Sequence, residues 1–117
     1  MATLSEILLS GSTNGKAITV SGADTSAAVT VHTAVAGTSD HDKVWIYAVN
    51  TGSAAVLVTL EWGETDADGH IEVTIDGEGG AVLVTPGFCL QNGLIVKAFA
   101  ATADVISLHG FVHRVTA

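Results

Sequence analysis

Basic charge is scarce in this chain. Lys16, Lys43, Lys97 and Arg114 stand against twelve acidic residues, giving a formal net charge of −8 with the histidines neutral. The four are scattered and form no patch. Nucleic-acid binding draws on clustered Lys and Arg that displace counterions from phosphates, so no nucleic-acid partner is expected. An anionic membrane surface is disfavoured for the same reason. Cysteine is nearly absent as well. Cys89 has no partner within the chain, which excludes an internal disulfide framework and fits folding in a reducing cytosol. Long apolar runs are missing. The opening MATLSEILLSGS carries Glu6, has no basic n-region and holds only Ile7-Leu8-Leu9 as an apolar run. Neither a secretory leader nor a membrane span of ~20 apolar residues is expected. Aromatic residues make up only 5%, although 48% of the chain is hydrophobic, most of it small Ala and Val. A domain this apolar buries more than its own core, which points to an oligomer or to a component docked on a larger surface.

What is present is alternation. At 117 residues the chain is one domain, long enough for a core without staples. From Lys16 onward, β-branched Val, Ile and Thr alternate with polar residues, and turn signals such as NTGS, DGEGG, PGFCLQNG and ATAD separate the runs. About eight strands with no amphipathic helix predict an all-β antiparallel β-sandwich or jelly-roll-like domain over residues 17–117. In DKVWIYAVN, Val44, Ile46 and Ala48 share one face while Trp45, Tyr47 and Val49 share the other. Both faces are apolar, so this strand is expected to be central or covered by a neighbouring subunit. In VLVTLEW, Val56, Val58, Leu60 and Trp62 form the inward set, with Thr59 and Glu61 facing out. Gly110 in the last strand predicts a bulge or bend. Residues 1–16 stand outside the alternation and read as an N-terminal arm, helical for one turn or extended, with Leu4, Ile7 and Leu8 as anchors and a Gly/Ser/Asn-rich hinge. A frayed terminus packed on the sandwich is the alternative.

Several stretches invite chemistry. GETDADGHIE resembles the start of an EF-hand loop, but its twelfth position from Glu64 is Ile75, where the bidentate Glu belongs, and its flanks are strands. It reads as a connection between strands, with a different calcium arrangement of Glu64, Asp66 and Asp68 as the alternative. His109 and His113 share a parity but lie roughly 13 Å apart along a regular strand, too far for one zinc unless Gly110 shortens the gap. No metal and no cofactor are expected. His32, His41 and His70 read as solvated or interface histidines. SDHD (residues 39–42) places nucleophile, base and acid types side by side, whereas catalytic triads are assembled from separated segments. There is no G-x-S-x-G, G-x-G-x-x-G or Walker loop, Cys89 reads as a packing residue, and no catalytic residues are assigned. Trp45, Tyr47 and Trp62 could stack on sugars, with core packing the preferred reading for Trp62.

Two long stretches carry a resemblance. VHTAVAGTSDHDKVWIYAVNTGSAAVLVTLEWG is followed by IEVTI, a glycine turn, VLVTPGFCLQNGLIVKAFA and ADVISLHGFVHRVT. The H-T-A segment, VWIYAVN, the EWG end, P-G before an N-G turn and the closing HGFVHRVT, in this order over residues 31–116, resemble the small decoration (cement) proteins of tailed-phage virions. The resemblance implies a non-enzymatic β-sandwich that oligomerises, a homotrimer being favoured, on the outer surface of a capsid assembled in the host cytoplasm. Its partner would be the major capsid protein, whose neighbouring subunits it would clamp against internal DNA pressure. Binding assembled capsid but not free subunits stabilises the shell by mass action. On this reading Leu4, Ile7 and Leu8 anchor the arm, and Trp45 and Tyr47 lie near a subunit interface. The rival classes are another virion component, at a head–tail junction or fibre base, and a carbohydrate-binding β-sandwich module.

Overall fold

The alternation carries through into nine strands, seen in a computed structural model that describes residues 2–117. They are β1 (Thr3–Leu8), β2 (Ile18–Thr19), β3 (Val29–Thr33), β4 (His41–Asn50), β5 (Val56–Trp62), β6 (His70–Ile75), β7 (Val82–Leu90), β8 (Ile95–Ala100) and β9 (Ile106–Thr116). They form two antiparallel sheets. One runs β1-β9-β4-β7 with β2 also paired to β9, and the other runs β3-β8-β5-β6. The result is a β-sandwich-like all-β fold.

Between the sheets lies an aliphatic core. Val44, Ile46 and Ala48 of β4 and Leu108 and Val112 of β9 are fully buried, as are Val58 and Leu60 of β5. Each such Val, Leu or Ile contributes about 1.5–3 kcal/mol by leaving water. No Phe, Tyr or Trp belongs to the buried core. Trp62, expected inside, is half-buried and meets Phe88 edge-on with ring centroids 5.9 Å apart. The accessible surface of 5927 Å² is close to the value of about 5,900 Å² that a compact monomer of this mass exposes. The chain therefore closes normally, with its aromatic residues outside the fully buried core and Trp62 packed against it.

The N-terminal segment departs from expectation. β1 pairs with β9 from Thr3↔Thr116 to Leu8↔Phe111, and β2 continues along the same strand with Ile18↔Leu108. Together they are one edge strand interrupted by residues 9–17. That excursion crosses to the other sheet: the Gly11 amide donates to the Val31 carbonyl at 2.9 Å, and the Thr33 amide donates to Ser10 Oγ at 2.7 Å. Leu9 is buried beneath it. A Cβ at Gly11 would stand 2.2 Å from the Thr30 carbonyl oxygen, so the crossing requires glycine.

Two other differences lie in the five-stranded sheet. β7 runs through Pro86 and Gly87 to Leu90, where a turn was expected. The register against β4 shifts between Val44 and Trp45, so Gly87 is an extra residue with φ +81°. Proline is tolerated because β7 is an edge strand. Conversely, the expected bulge at Gly110 is absent: the β4–β9 register runs unbroken through Ile46↔Gly110. Glycine is needed there because a Cβ would lie 2.0 Å from the Trp45 carbonyl oxygen.

The Gly11→Ala variant is expected to lose about 1–3 kcal/mol, the usual cost of forcing atoms into a closed site. A urea denaturation midpoint equal to that of the unaltered protein would contradict the close crossing.

Candidate functional site

β4 sorts its side chains strictly. Asp42, Val44, Ile46, Ala48 and Asn50 are buried, and the residues between them are half-exposed. Trp45 and Tyr47 therefore lie on the outer face of the five-stranded sheet. Register carries that face across the neighbouring strands. Trp45 is opposite Phe111 of β9, which is opposite Leu8 of β1, and Tyr47 is opposite Leu83 of β7. Leu4, opposite Val115, extends the face towards its edge. The Trp45 indole stacks on the Phe111 ring, with centroids 5.0 Å apart and planes inclined by 11°. His113 tilts against both rings at 4.7 and 5.3 Å, and its Nε2 pairs with the Glu6 carboxylate at 3.0 Å. Aromatic pairs of this kind contribute about 0.5–1.5 kcal/mol beyond area burial. The Gly87 backbone comes so close to the indole that a Cβ there would lie 2.8 Å from Cζ2. The rings are thus closely packed, and a polar row of Glu6, His113 and Lys43 crosses the face between Leu8 and Leu4.

Four residues singled out from the sequence, Leu4, Leu8, Trp45 and Tyr47, meet on this face. Ile7 does not. Having the opposite parity, it stands against Val112 and packs partly buried on the core. His109, opposite Tyr47, and His113 also belong to the outer face. The regular register across Gly110 gives nothing to shorten the distance between them.

Behind this face sits a buried polar clamp that the sequence reading missed. Asp42 and His32 are both fully buried. Asp42 Oδ1 accepts from Arg114 Nε at 2.8 Å; Oδ2 accepts from Arg114 Nη2 at 3.0 Å, from the Val35 amide at 3.1 Å and from His32 Nε2 at 2.7 Å. The Ser10 amide donates to His32 Nδ1 at 3.0 Å, which sets the ring proton on Nε2. His32, expected to be solvated or at an interface, is therefore a core histidine. Its acceptor nitrogen is occupied by a backbone amide, so the pair offers no free base to a nucleophile. A signal for the clamp was present: Asp42 and Asn50 share the parity of Val44, Ile46 and Ala48, which places both inward. Asn50 closes the far end of β4 by donating to the carbonyls of Ala54 and Ile75.

Burial pushes the Asp42 carboxyl up, but hydrogen bonds from Arg114 and His32 and the Arg114 charge outweigh it and hold the carboxyl below its ordinary value. The same bonds to Asp42 hold the Arg114 guanidinium above its own.

The remaining candidates are separate from both features. GETDADG joins β5 to β6 and ends in a single 3-10 turn, Ala67–Gly69. Among the described residues, no three His, Cys, Asp or Glu side chains converge as metal ligands. Cys89 is exposed beside Lys43 on the outer face, where packing was expected. No protein-family model matches the chain, and no characterised protein or solved structure matches it either.

Because the folded pKa of Asp42 is depressed, its contribution to stability is complete above about pH 4 and is lost as pH falls through the lower folded value. The Asp42→Asn variant is expected to lose about 3–5 kcal/mol at neutral pH, the cost of orphaning a buried partner. It should also lose this acid-dependent component. Urea unfolding at a series of pH values checks both, and parallel stability–pH curves for the two proteins would contradict the clamp's role.

Proposed function

We propose that the chain is a non-enzymatic structural protein of the capsid decoration (cement) class, docking through the outer face of its five-stranded sheet. The observation that carries this is the outward face on which Leu8, Phe111, Trp45, Tyr47 and Leu83 adjoin, with Leu4 beyond the Glu6–His113 pair, built by a chain whose buried core holds no aromatic residue. An apolar face backed by a closed core is what a subunit needs to meet a neighbour or a shell. The net charge of −8 keeps the rest of the surface off nucleic acid.

Topology supports the finer description as a jelly roll. Counting β1 and β2 as one interrupted strand, the order β1-β9-β4-β7 facing β3-β8-β5-β6 is that of two interleaved Greek keys. Jelly rolls recur in viral capsid proteins, and also in lectins and cupins, so this order alone does not choose a function. The N-terminal arm belongs to the same proposal: β1 is an edge strand whose ladder partner is β9, and its Leu4 and Leu8 face outward for a neighbour. The partners are the major capsid protein and further copies of the chain, a trimer being favoured by the resemblance. The outer capsid surface is the location. A sugar platform is less well supported, because the Trp45 ring is stacked on Phe111 and closely approached by Gly87.

Leu4 and Leu8 are 60% and 54% exposed, so changing them tests docking rather than folding. Leu4→Glu combined with Leu8→Glu should leave the unfolding midpoint within about 0.5 kcal/mol, as surface changes do, while lowering occupancy on expanded capsids. Undiminished occupancy, spread over the shell, contradicts the docking face. A few copies confined to one vertex would favour a head–tail or fibre-base component instead.

A further inference from the structure

On the opposite side of the molecule, β5 carries an acid that its position does not explain. Glu61 has outward parity on the four-stranded sheet, flanked in register by Lys97 of β8 and His70 of β6. It is nevertheless 1% exposed. The β5–β6 connection folds back beside it: Glu64 and Thr65 face Leu94, Ile95 and Lys97 across a cavity of ≈ 250 Å³ that Glu61 also lines. Both Glu61 carboxylate oxygens are shielded from solvent and have no hydrogen-bond partner. His70 Nε2 comes within 3.6 Å of Oε2, but that nitrogen is engaged at 3.1 Å with the Thr65 carbonyl. Lys97, directly opposite, makes no ion pair with Glu61 among the described residues.

A buried carboxylate accepts hydrogen bonds and cannot donate them, and leaving it without a donor is costly. The cavity adds a second acceptor group in Glu64 and apolar walls in Leu94 and Ile95. A ligand matching this set is positively charged, donates several hydrogen bonds from one small head and carries a short aliphatic stem. A metal ion fits poorly, since no three ligand side chains converge here. An anion is opposed by both carboxylates. We infer that the Glu61 cavity is a binding site for a primary alkylammonium group, with Glu61 as its counter-ion once the lining side chains that shield its oxygens move aside. The group can arrive on a free amine or on a lysine side chain of a docked protein. Lys97, at the same cavity, competes with it. This inference does not depend on the decoration reading.

The test is an amide-resolved NMR titration of the full chain with butylammonium chloride, Nα-acetyl-lysine amide and, as the uncharged control, Nα-acetyl-norleucine amide. Saturable shifts confined to the segments 61–65 and 93–97 are expected with the two amines and not with the control. Comparable affinity for both amines points to a free amine as the source, and clear preference for the lysine amide points to a protein side chain. Glu61→Gln should weaken binding roughly tenfold or more, as loss of a charge-assisted hydrogen bond does. Lys97→Met, which leaves the carboxylate in place, should tighten it. The inference is overturned if the control shifts the same amides, if calcium does so and the amines do not, or if neither amine saturates. Binding seen in Lys97→Met alone also overturns it, because the partner of Glu61 is then Lys97 itself.

Discussion

The carboxylate of Asp42 is the point at which the two sheets are tied together. It receives Arg114 from β9, His32 from β3 and the Val35 amide from the connection that follows, while His32 holds the crossing segment through Ser10. Two separate stretches of chain donate to one buried charge, and a third is held to it through His32. Such a charge is costly to bury and is tolerated because nearly every lone pair is met. Its consequence reaches beyond stability. Asp42 is in phase with Val44, Ile46 and Ala48, so its bonds to Arg114 hold β4 in one register against β9. A slip of one residue would turn Trp45 into the core and Ile46 out to solvent. The direction in which the platform points thus follows from the clamp.

The division of side chains between core and face follows from size. Small Ala and Val, with Ile and Leu, fill the interior, and that leaves rings to the outer face and the sandwich margins. Stacked between cross-strand neighbours, Trp45 and Phe111 lose little freedom on contact with a partner, which reduces the ordering cost of association. The two outer faces are both mixed in character. The five-stranded sheet carries rings and leucines crossed by the row Glu6, His113 and Lys43, and the four-stranded sheet carries Leu57, Ile95 and Phe99 beside Lys97, His70 and the covered Glu61.

Much of this was legible in the residues because strand parity is a local property. The two face sets of DKVWIYAVN and the existence of strands β3 to β9 follow from alternation alone, but with both sets apolar the residues do not say which of them faces out. Pairing is not local. β1 meets β9 across nearly the whole chain, and TLSEIL shows too little alternation to announce it. The turn reading of PGFCLQNG failed because an edge strand accepts Pro86 and Gly87 by bulging, a freedom that only the sheet order reveals. The buried state of His32 and Glu61 depends on what packs above them. For His32 the partner's parity gave a hint, whereas nothing in VLVTLEW indicates that the following loop covers Glu61.

The most direct measurement concerns the indole of Trp45. In a Trp62→Phe variant it is the only tryptophan, and its fluorescence quenching by acrylamide can be followed as the protein is added to expanded capsids. Quenching that falls as the protein attaches is the result predicted for docking through this face. Full attachment with unchanged quenching would place the contact elsewhere and contradict the account.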